Sequence, residues 1–356
     1  MSRYLNSFHK NLLPYTPGEQ PVDMQYVKLN TNESPFPPSD KVIHAVNAAE
    51  ISKLNLYSDP ECTNLVKRFA SLYNVKTENI LFGNGSDEIL QYCFYSFCGE
   101  DKKAVFADIT YGFYSVFADL FHIPVEIIPL NDDYTLPTDK FKNANGTVFI
   151  ANPNAPTGLA LTKNEIIEIL ESNKDDVVVI DEAYVDFGAE SVVDLIDTYN
   201  NLIVVQTFSK SRSYAGGRLG MCFADKELIN DMKMIKYSLN PYNIDRLSMA
   251  AGIAAADDDA YYKKNAAVII QNRQWLTNEL TALGFNILPS CANFIFAEHP
   301  QYDGKELYLQ LKERGVLVRH FDKDRICNFN RITIGTMDQL QILVDTIKAI
   351  FKEQDN

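Results

Sequence analysis

The apolar run Leu202-Ile203-Val204-Val205, leading into Thr207-Phe208-Ser209-Lys210, constrains this chain more than any other stretch. A continuous run of branched apolar residues fits a strand covered on both faces, as in a parallel sheet. The lysine falls just past the C-terminal end of that strand, where open α/β sheets place their ligands. Ser209 precedes it, and Arg218 follows within Ala215-Gly216-Gly217-Arg218-Leu219-Gly220. An amine beside a hydroxyl and an arginine suits an aldehyde that carries a phosphate. One lysine alone says little, because most lysines are solvated surface charges.

The rest of the chain repeats the strand-then-motif pattern. Ile80-Leu81-Phe82 enters Gly83-Asn84-Gly85-Ser86-Asp87-Glu88, a glycine turn opening a helix. The free amides of such a helix start bind phosphate, although Asp87 and Glu88 would repel it, so a cation such as Arg218 is needed. Ala104-Val105-Phe106 precedes Tyr111, Thr147-Val148-Phe149-Ile150 precedes Asn152-Pro153-Asn154-Ala155-Pro156-Thr157-Gly158, and Val177-Val178-Val179-Ile180 precedes Asp181-Glu182-Ala183-Tyr184. Val125 to Ile128 adds a strand, Lys163 to Glu171 a helix, and Arg218 to Ala224 an antiparallel strand. The expected class is α/β: a mostly parallel seven-stranded sheet flanked by helices, in a large domain over residues 36–240.

From residue 241 the pattern changes, and a smaller α/β domain is expected over 241–356. It should hold helices over Tyr242 to Ala256 and Ala260 to Leu283. Strands are expected at Phe285 to Leu288, Phe294 to Ala297, Val316 to Arg319 and Arg331 to Ile334. Residues 1–35 read as an arm packing with that domain, with a short helix starting in Asn11 to Tyr15 and a proline-stiffened exit at Pro35, Pro37 and Pro38. A chain of 356 residues exceeds the size at which one core stops growing, which also favours two domains.

The formal net charge of -14 argues against a nucleic-acid partner, which needs a basic face. No stretch is long and apolar enough for a membrane span, and Met1 to Lys10 lacks the apolar centre of a signal peptide, so a cytoplasmic protein is expected. The six cysteines form no Cys-x-x-Cys pair and read as buried reduced thiols. The five histidines show no metal-ligand spacing, so no metal site is assigned.

The motifs at the strand ends can converge on one crevice, and each has a chemical place around pyridoxal phosphate. Lys210 takes the aldehyde. Asp181 pairs with the pyridine nitrogen, Tyr184 and an asparagine bond the ring oxygen, Tyr111 stacks on the ring, and Ser86, Asp87, Ser209 and Arg218 hold the phosphate.

These motifs resemble those of fold-type-I, class-II pyridoxal-phosphate aminotransferases, and most closely the histidinol-phosphate aminotransferase family. The likeness extends to Leu13-Pro14-Tyr15, Lys28-Leu29-Asn30-Thr31-Asn32-Glu33-Ser34-Pro35, Tyr57 with Asp59-Pro60, Asn240-Pro241-Tyr242-Asn243 and Arg331-Ile332-Thr333-Ile334-Gly335-Thr336. The resemblance implies transamination between histidinol phosphate and 2-oxoglutarate. It implies a homodimer in which Tyr57 reaches the neighbouring subunit's cofactor phosphate. It also implies that Arg331 binds the substrate's anionic group, with Tyr15, Asn32 and Arg319 assisting. An aromatic amino-acid aminotransferase or a threonine-phosphate decarboxylase would share the cofactor residues, and a cofactor-binding regulator without turnover is the reading from another class. Two departures from the family pattern stand out. Ala155 occupies the place where many relatives have asparagine, which moves the expected cofactor asparagine to Asn154. Ser211-Arg212-Ser213-Tyr214 is more polar than usual, with Arg212 expected at the surface.

Overall fold

The computed structural model describes residues 12–48 and 50–354. It is built around a seven-stranded sheet. After a short first strand, β1 (Val27–Lys28), and the helices α1 (Asp40–Ala48) and α2 (Thr63–Tyr73), the sheet begins with β2 (Ile80–Gly83). It continues through β3 (Ala104–Ala107), β4 (Val125–Ile128), β5 (Thr147–Ala151), β6 (Val178–Asp181), β7 (Leu202–Thr207) and β8 (Gly220–Ala224). The spatial order is β2-β8-β7-β6-β5-β3-β4, and β8 alone runs against the others. The central runs are buried along their whole length, as two-sided coverage requires.

Alternate side chains of these strands feed two separate cores. Val178, Ile180 and Val204 join one core with Phe69 and Phe208 from one face. Val179, Ile203 and Val205 join the other with Phe94, Phe106 and Phe149. The connecting helices are α3 (Ser86–Phe97), α4 (Phe113–Phe121), α5 (Thr138–Phe141), α6 (Lys163–Ser172) and α7 (Lys226–Leu239). The start of α6 is sharply defined by a capping box in which Thr162 and Glu165 each satisfy the other's backbone N–H.

Beyond α7 come α8 (Arg246–Asp257) and α9 (Asp259–Ala282), then β9 (Asn286–Ile287), β10 (Phe294–Glu298), α10 (Gly304–Glu313), β11 (Val316–Leu317), β12 (Arg319–His320), β13 (Phe329–Thr333) and α11 (Met337–Gln354). A four-stranded antiparallel sheet in the order β12-β13-β10-β9 packs against α9 and α11 in a third core. The expected strand from Val316 to Arg319 divides at Val318. Its first half pairs in parallel with β1, and its second half pairs with β13. The expected helix from Tyr242 starts instead at Arg246, where Asp245 caps it by accepting from the N–H groups of Leu247 and Ser248. Residues 12–15 take no helical turn, and Asn11 lies outside the described residues, as do Met1 to Lys10 and Ala49. Cys62, Cys93 and Cys222 are buried, whereas Cys327 is exposed, contrary to the expectation for it.

Candidate active site

Register decides the site. Gly83 pairs with Gly220, and Gly220 pairs with Thr207; Asp181 pairs with Ala151 and Val205. The residues just beyond β2, β5, β6 and β7 therefore share one sheet edge, together with the segment that enters β8. They enclose a cavity of about 330 Å³ bordered by Ser86, Asp87, Tyr111, Asp181, Tyr184, Ser209, Lys210 and Arg218.

Lys210 Nζ lies 3.4 Å from the Thr31 carbonyl oxygen and 5.6 Å from the centre of the Tyr184 ring. No acidic partner pairs with it among the described residues, so its amine is available to an electrophile. Ser209 is fixed next to it, with its hydroxyl 3.0 Å from that of Thr207.

Asp181, the last residue of β6, is 4% exposed. Its Oδ2 accepts from the Tyr114 hydroxyl at 3.1 Å and its Oδ1 from the Ala183 N–H at 3.2 Å. Burial raises its pKa to about 6 against the pull of those two bonds. A buried carboxylate at a cavity wall, with no basic side chain bonded to it among the described residues, is suited to a cationic heterocycle.

Two glycines allow the wall of Ser86, Asp87 and Arg218 to form. Gly85 has φ +80°, and a Cβ there would lie 2.6 Å from Arg218 Nη2. A Cβ on Gly220 would lie 2.3 Å from the Gly85 carbonyl carbon and 2.4 Å from the Ser86 nitrogen. Only glycine lets β8 lie this close to the start of α3 and leaves Arg218 room over the turn. Arg218 Nη2 pairs with Asp87 Oδ2 at 3.1 Å, and Asp87 Oδ1 accepts from the Tyr111 hydroxyl at 2.7 Å. Asp87 thus orients the arginine and the aromatic ring. Burial beside this carboxylate raises the Tyr111 pKa well above its ordinary value. The wall combines a cation, the Ser209 hydroxyl and the positive end of α3, donors suited to a phosphate.

A second cavity of about 310 Å³ shares Lys210, Tyr111, Tyr184 and Thr31 with the first. Tyr15, Arg319 and Arg331 border it. Arg331 Nη2 donates to the Asn30 carbonyl at 3.1 Å, and its guanidinium lies 5.4 and 5.6 Å from the rings of Phe294 and Phe321. Its buried Nε has no partner among the described residues, and burial lowers its pKa. Arg319 donates to the carbonyls of Thr16 and Pro17. Tyr15 stacks on Phe113 with ring centres 4.5 Å apart. A half-buried guanidinium with a buried open donor, and with no acidic partner among the described residues, is suited to a small anion.

The structure thus brings together Tyr15, Ser86, Asp87, Tyr111, Asp181, Tyr184, Ser209, Lys210, Arg218, Arg319 and Arg331. It does not bring in Asn154. That amide accepts from Thr110 Oγ1 and donates to the Ile109 carbonyl and Thr157 Oγ1, so the segment after β3 and its own turn together consume it, and Ala155 faces the cavity instead. Asn32 borders the second cavity, but its amide bonds Tyr184 and Thr333. Tyr57 stacks on Tyr242, is 77% exposed and borders neither cavity of its own chain. Arg212 is buried, not at the surface: it pairs with Asp259 at 3.0 Å and lies over the rings of Phe69, Phe208 and Tyr262. Tyr114 and Thr333 were not singled out from the sequence. Tyr114 follows Tyr111 at helical spacing, and Thr333 follows Arg331 at the alternation of a strand, so periodicity was the signal.

A lysine at the end of a buried parallel strand, between a phosphate-type wall and a buried acid, defines the class. The sequence pattern of the family described as Aminotransferase class I and II matches residues 24–347, and the chain belongs to that family. A histidinol-phosphate aminotransferase of Brachyspira hyodysenteriae is 50% identical over 353 residues, spanning 99% of this chain and all of that one. One from Clostridium botulinum is 46% identical over the same length, again covering 99% of this chain and 100% of that one. The crystal structure of histidinol-phosphate aminotransferase from Sinorhizobium meliloti in complex with pyridoxal 5'-phosphate superposes with a TM-score of 0.83. It is 22% identical and covers 92% of each chain, which shows the shared fold.

Proposed function

We propose that this chain is a pyridoxal-phosphate-dependent aminotransferase that moves the amino group of histidinol phosphate to 2-oxoglutarate, giving imidazole-acetol phosphate and glutamate. One observation carries the reading: Lys210 stands on the wall shared by two adjoining cavities, one lined for a phosphorylated heterocycle and the other holding a half-buried arginine whose Nε has no partner among the described residues. Full-length relatives named for this reaction support the choice of substrate over an aromatic amino acid or threonine phosphate.

When bound, pyridoxal phosphate supplies an electron sink next to the substrate's α-carbon. Asp181 would keep the ring nitrogen protonated, and that cation would in turn stabilise the buried carboxylate. Arg218, Ser209 and the start of α3 would hold the phosphate, with Tyr111 over the ring and the Tyr184 hydroxyl at the ring oxygen. Lys210 would hold the group through its Nζ, and the same amine, when free, would be the base that takes the proton from the substrate's α-carbon and the acid that gives it back. Arg331 binds the phosphate of one substrate and a carboxylate of the other, with Tyr15 and Arg319 closing the pocket over them.

As part of the same reading, residues 1–35 form an arm, 36–240 the cofactor domain and 241–356 the small domain. The protein would be a cytoplasmic homodimer in which Tyr57 of one copy reaches the cofactor phosphate of the other. A coupled assay for glutamate formed from histidinol phosphate and 2-oxoglutarate tests the reaction. Release of carbon dioxide from threonine phosphate, without glutamate formation, would contradict it.

A further inference from the structure

We infer that Thr333 and Asn32 form a polar relay that sets the direction of the Tyr184 hydroxyl, turning its proton into the Lys210 cavity. The inference rests on the cofactor reading above and assigns both residues a positioning role.

The direction follows from one backbone group. The Asn32 N–H lies 3.0 Å from Thr333 Oγ1. A backbone N–H can only donate, so the threonine oxygen accepts there and must send its own proton elsewhere. Its other neighbour is the Asn32 side-chain amide, 2.9 Å away. Among the described residues that amide holds the acceptor found for the threonine proton, so the atom facing Thr333 is the amide oxygen. The amide nitrogen then faces Tyr184, 3.1 Å from its hydroxyl. A nitrogen of this kind can only donate, so the tyrosine oxygen accepts and its proton remains free. Tyr184 borders both cavities, and among the described residues no acceptor for that proton is found outside them.

The surroundings hold the relay still. Asn32 and Thr333 are almost fully buried, and the Asn32 carbonyl accepts from Asn293 Nδ2 at 3.0 Å. Asn32 has φ +54°, a conformation asparagine tolerates better than most residues. Thr333 lies two residues beyond Arg331 on β13. The strand that supplies the arginine of the second cavity thereby also orients the Tyr184 hydroxyl that borders it. Ala155 adds no hydrogen-bonding side chain to the cavity, which leaves the Tyr184 proton as the donor offered to a ring oxygen there.

A hydrogen bond donated to that oxygen favours its anion and lowers the pH at which the visible band of the lysine-bound cofactor titrates. The test is a pH titration of that band in protein loaded with pyridoxal phosphate. Thr333→Val removes both roles of the hydroxyl and frees the amide to turn its oxygen toward Tyr184. The midpoint should then rise by about one pH unit. Thr333→Ser should leave it in place, and the shift should vanish when Thr333→Val is made in a Tyr184→Phe background. Asn32→Asp, which keeps the shape but accepts from Tyr184, is the second variant should Thr333→Val not fold. Its rise should shrink in the Tyr184→Phe background. An unmoved midpoint, or a shift that persists undiminished without the Tyr184 hydroxyl, would overturn the relay while leaving the cofactor reading intact. A wild-type protein that forms no such band would overturn both.

Discussion

The Tyr114 hydroxyl donates to Asp181 Oδ2 over 3.1 Å, although the two residues are 67 positions apart in the chain. The bond has an electrostatic consequence on each side. Burial beside the carboxylate pushes the Tyr114 pKa well up, and burial of Asp181 raises its pKa from 3.8 to about 6 despite the bond. The folded, cofactor-free protein therefore holds a proton on Asp181 more tightly than the unfolded chain does. The cost of ionising it appears as pH rises through the interval from 3.8 to about 6 and persists above it. Glu182, raised by burial to about 7, acts with the same sign. Asp181→Asn should stabilise the cofactor-free protein at pH 8 by on the order of 2 kcal/mol and much less at pH 4, while weakening retention of pyridoxal phosphate. Thermal melts at the two pH values check this. Equal effects at both would contradict it.

Arg331 lines the second cavity with a buried Nε that has no partner among the described residues. Arg331→Ala should raise KM for glutamate and for histidinol phosphate together, by roughly 30- to 100-fold, the weight of a hydrogen bond to a charged group. Arg331→Lys should recover only part, because a lysine cannot present two parallel donors. Steady-state kinetics decide the point, and unchanged KM values for both substrates would remove Arg331 from the site.

Arg212, two residues beyond Lys210, is 6% exposed and pairs with Asp259, whose other oxygen meets Lys263. Arg212→Met removes one partner of a buried pair that also lies over three aromatic rings. The loss should be about 3 kcal/mol, read from the denaturant midpoint. A midpoint that does not move would show the pair to be dispensable.

Much of this arrangement can be read from the residues because parallel strands end where ligands bind. Lys210, Asp181 and Ser86 each follow a buried apolar run, and that placement alone aligns them on one sheet edge. Contacts between distant segments are a different matter. The pairing of Thr333 with Asn32 spans 301 residues and depends on β1 joining β11, which no local pattern announces. Arg212 has polar neighbours in sequence and looks solvated, but its partners come from α2 and α9. Asn154 looks available because its type suits the ring oxygen, whereas the distant segment of Ile109 and Thr110, with Thr157 of its own turn, uses every group of its amide. Backbone and hydroxyl groups compete for asparagine side chains, and sequence does not say which partner wins.

The most direct test of the whole account is the absorbance spectrum of the purified protein with pyridoxal phosphate, followed by histidinol phosphate and then 2-oxoglutarate. The account predicts a visible band that histidinol phosphate bleaches and 2-oxoglutarate restores, and that Lys210→Ala does not form. A band that ignores histidinol phosphate but responds to phenylalanine or threonine phosphate would contradict the proposed reaction.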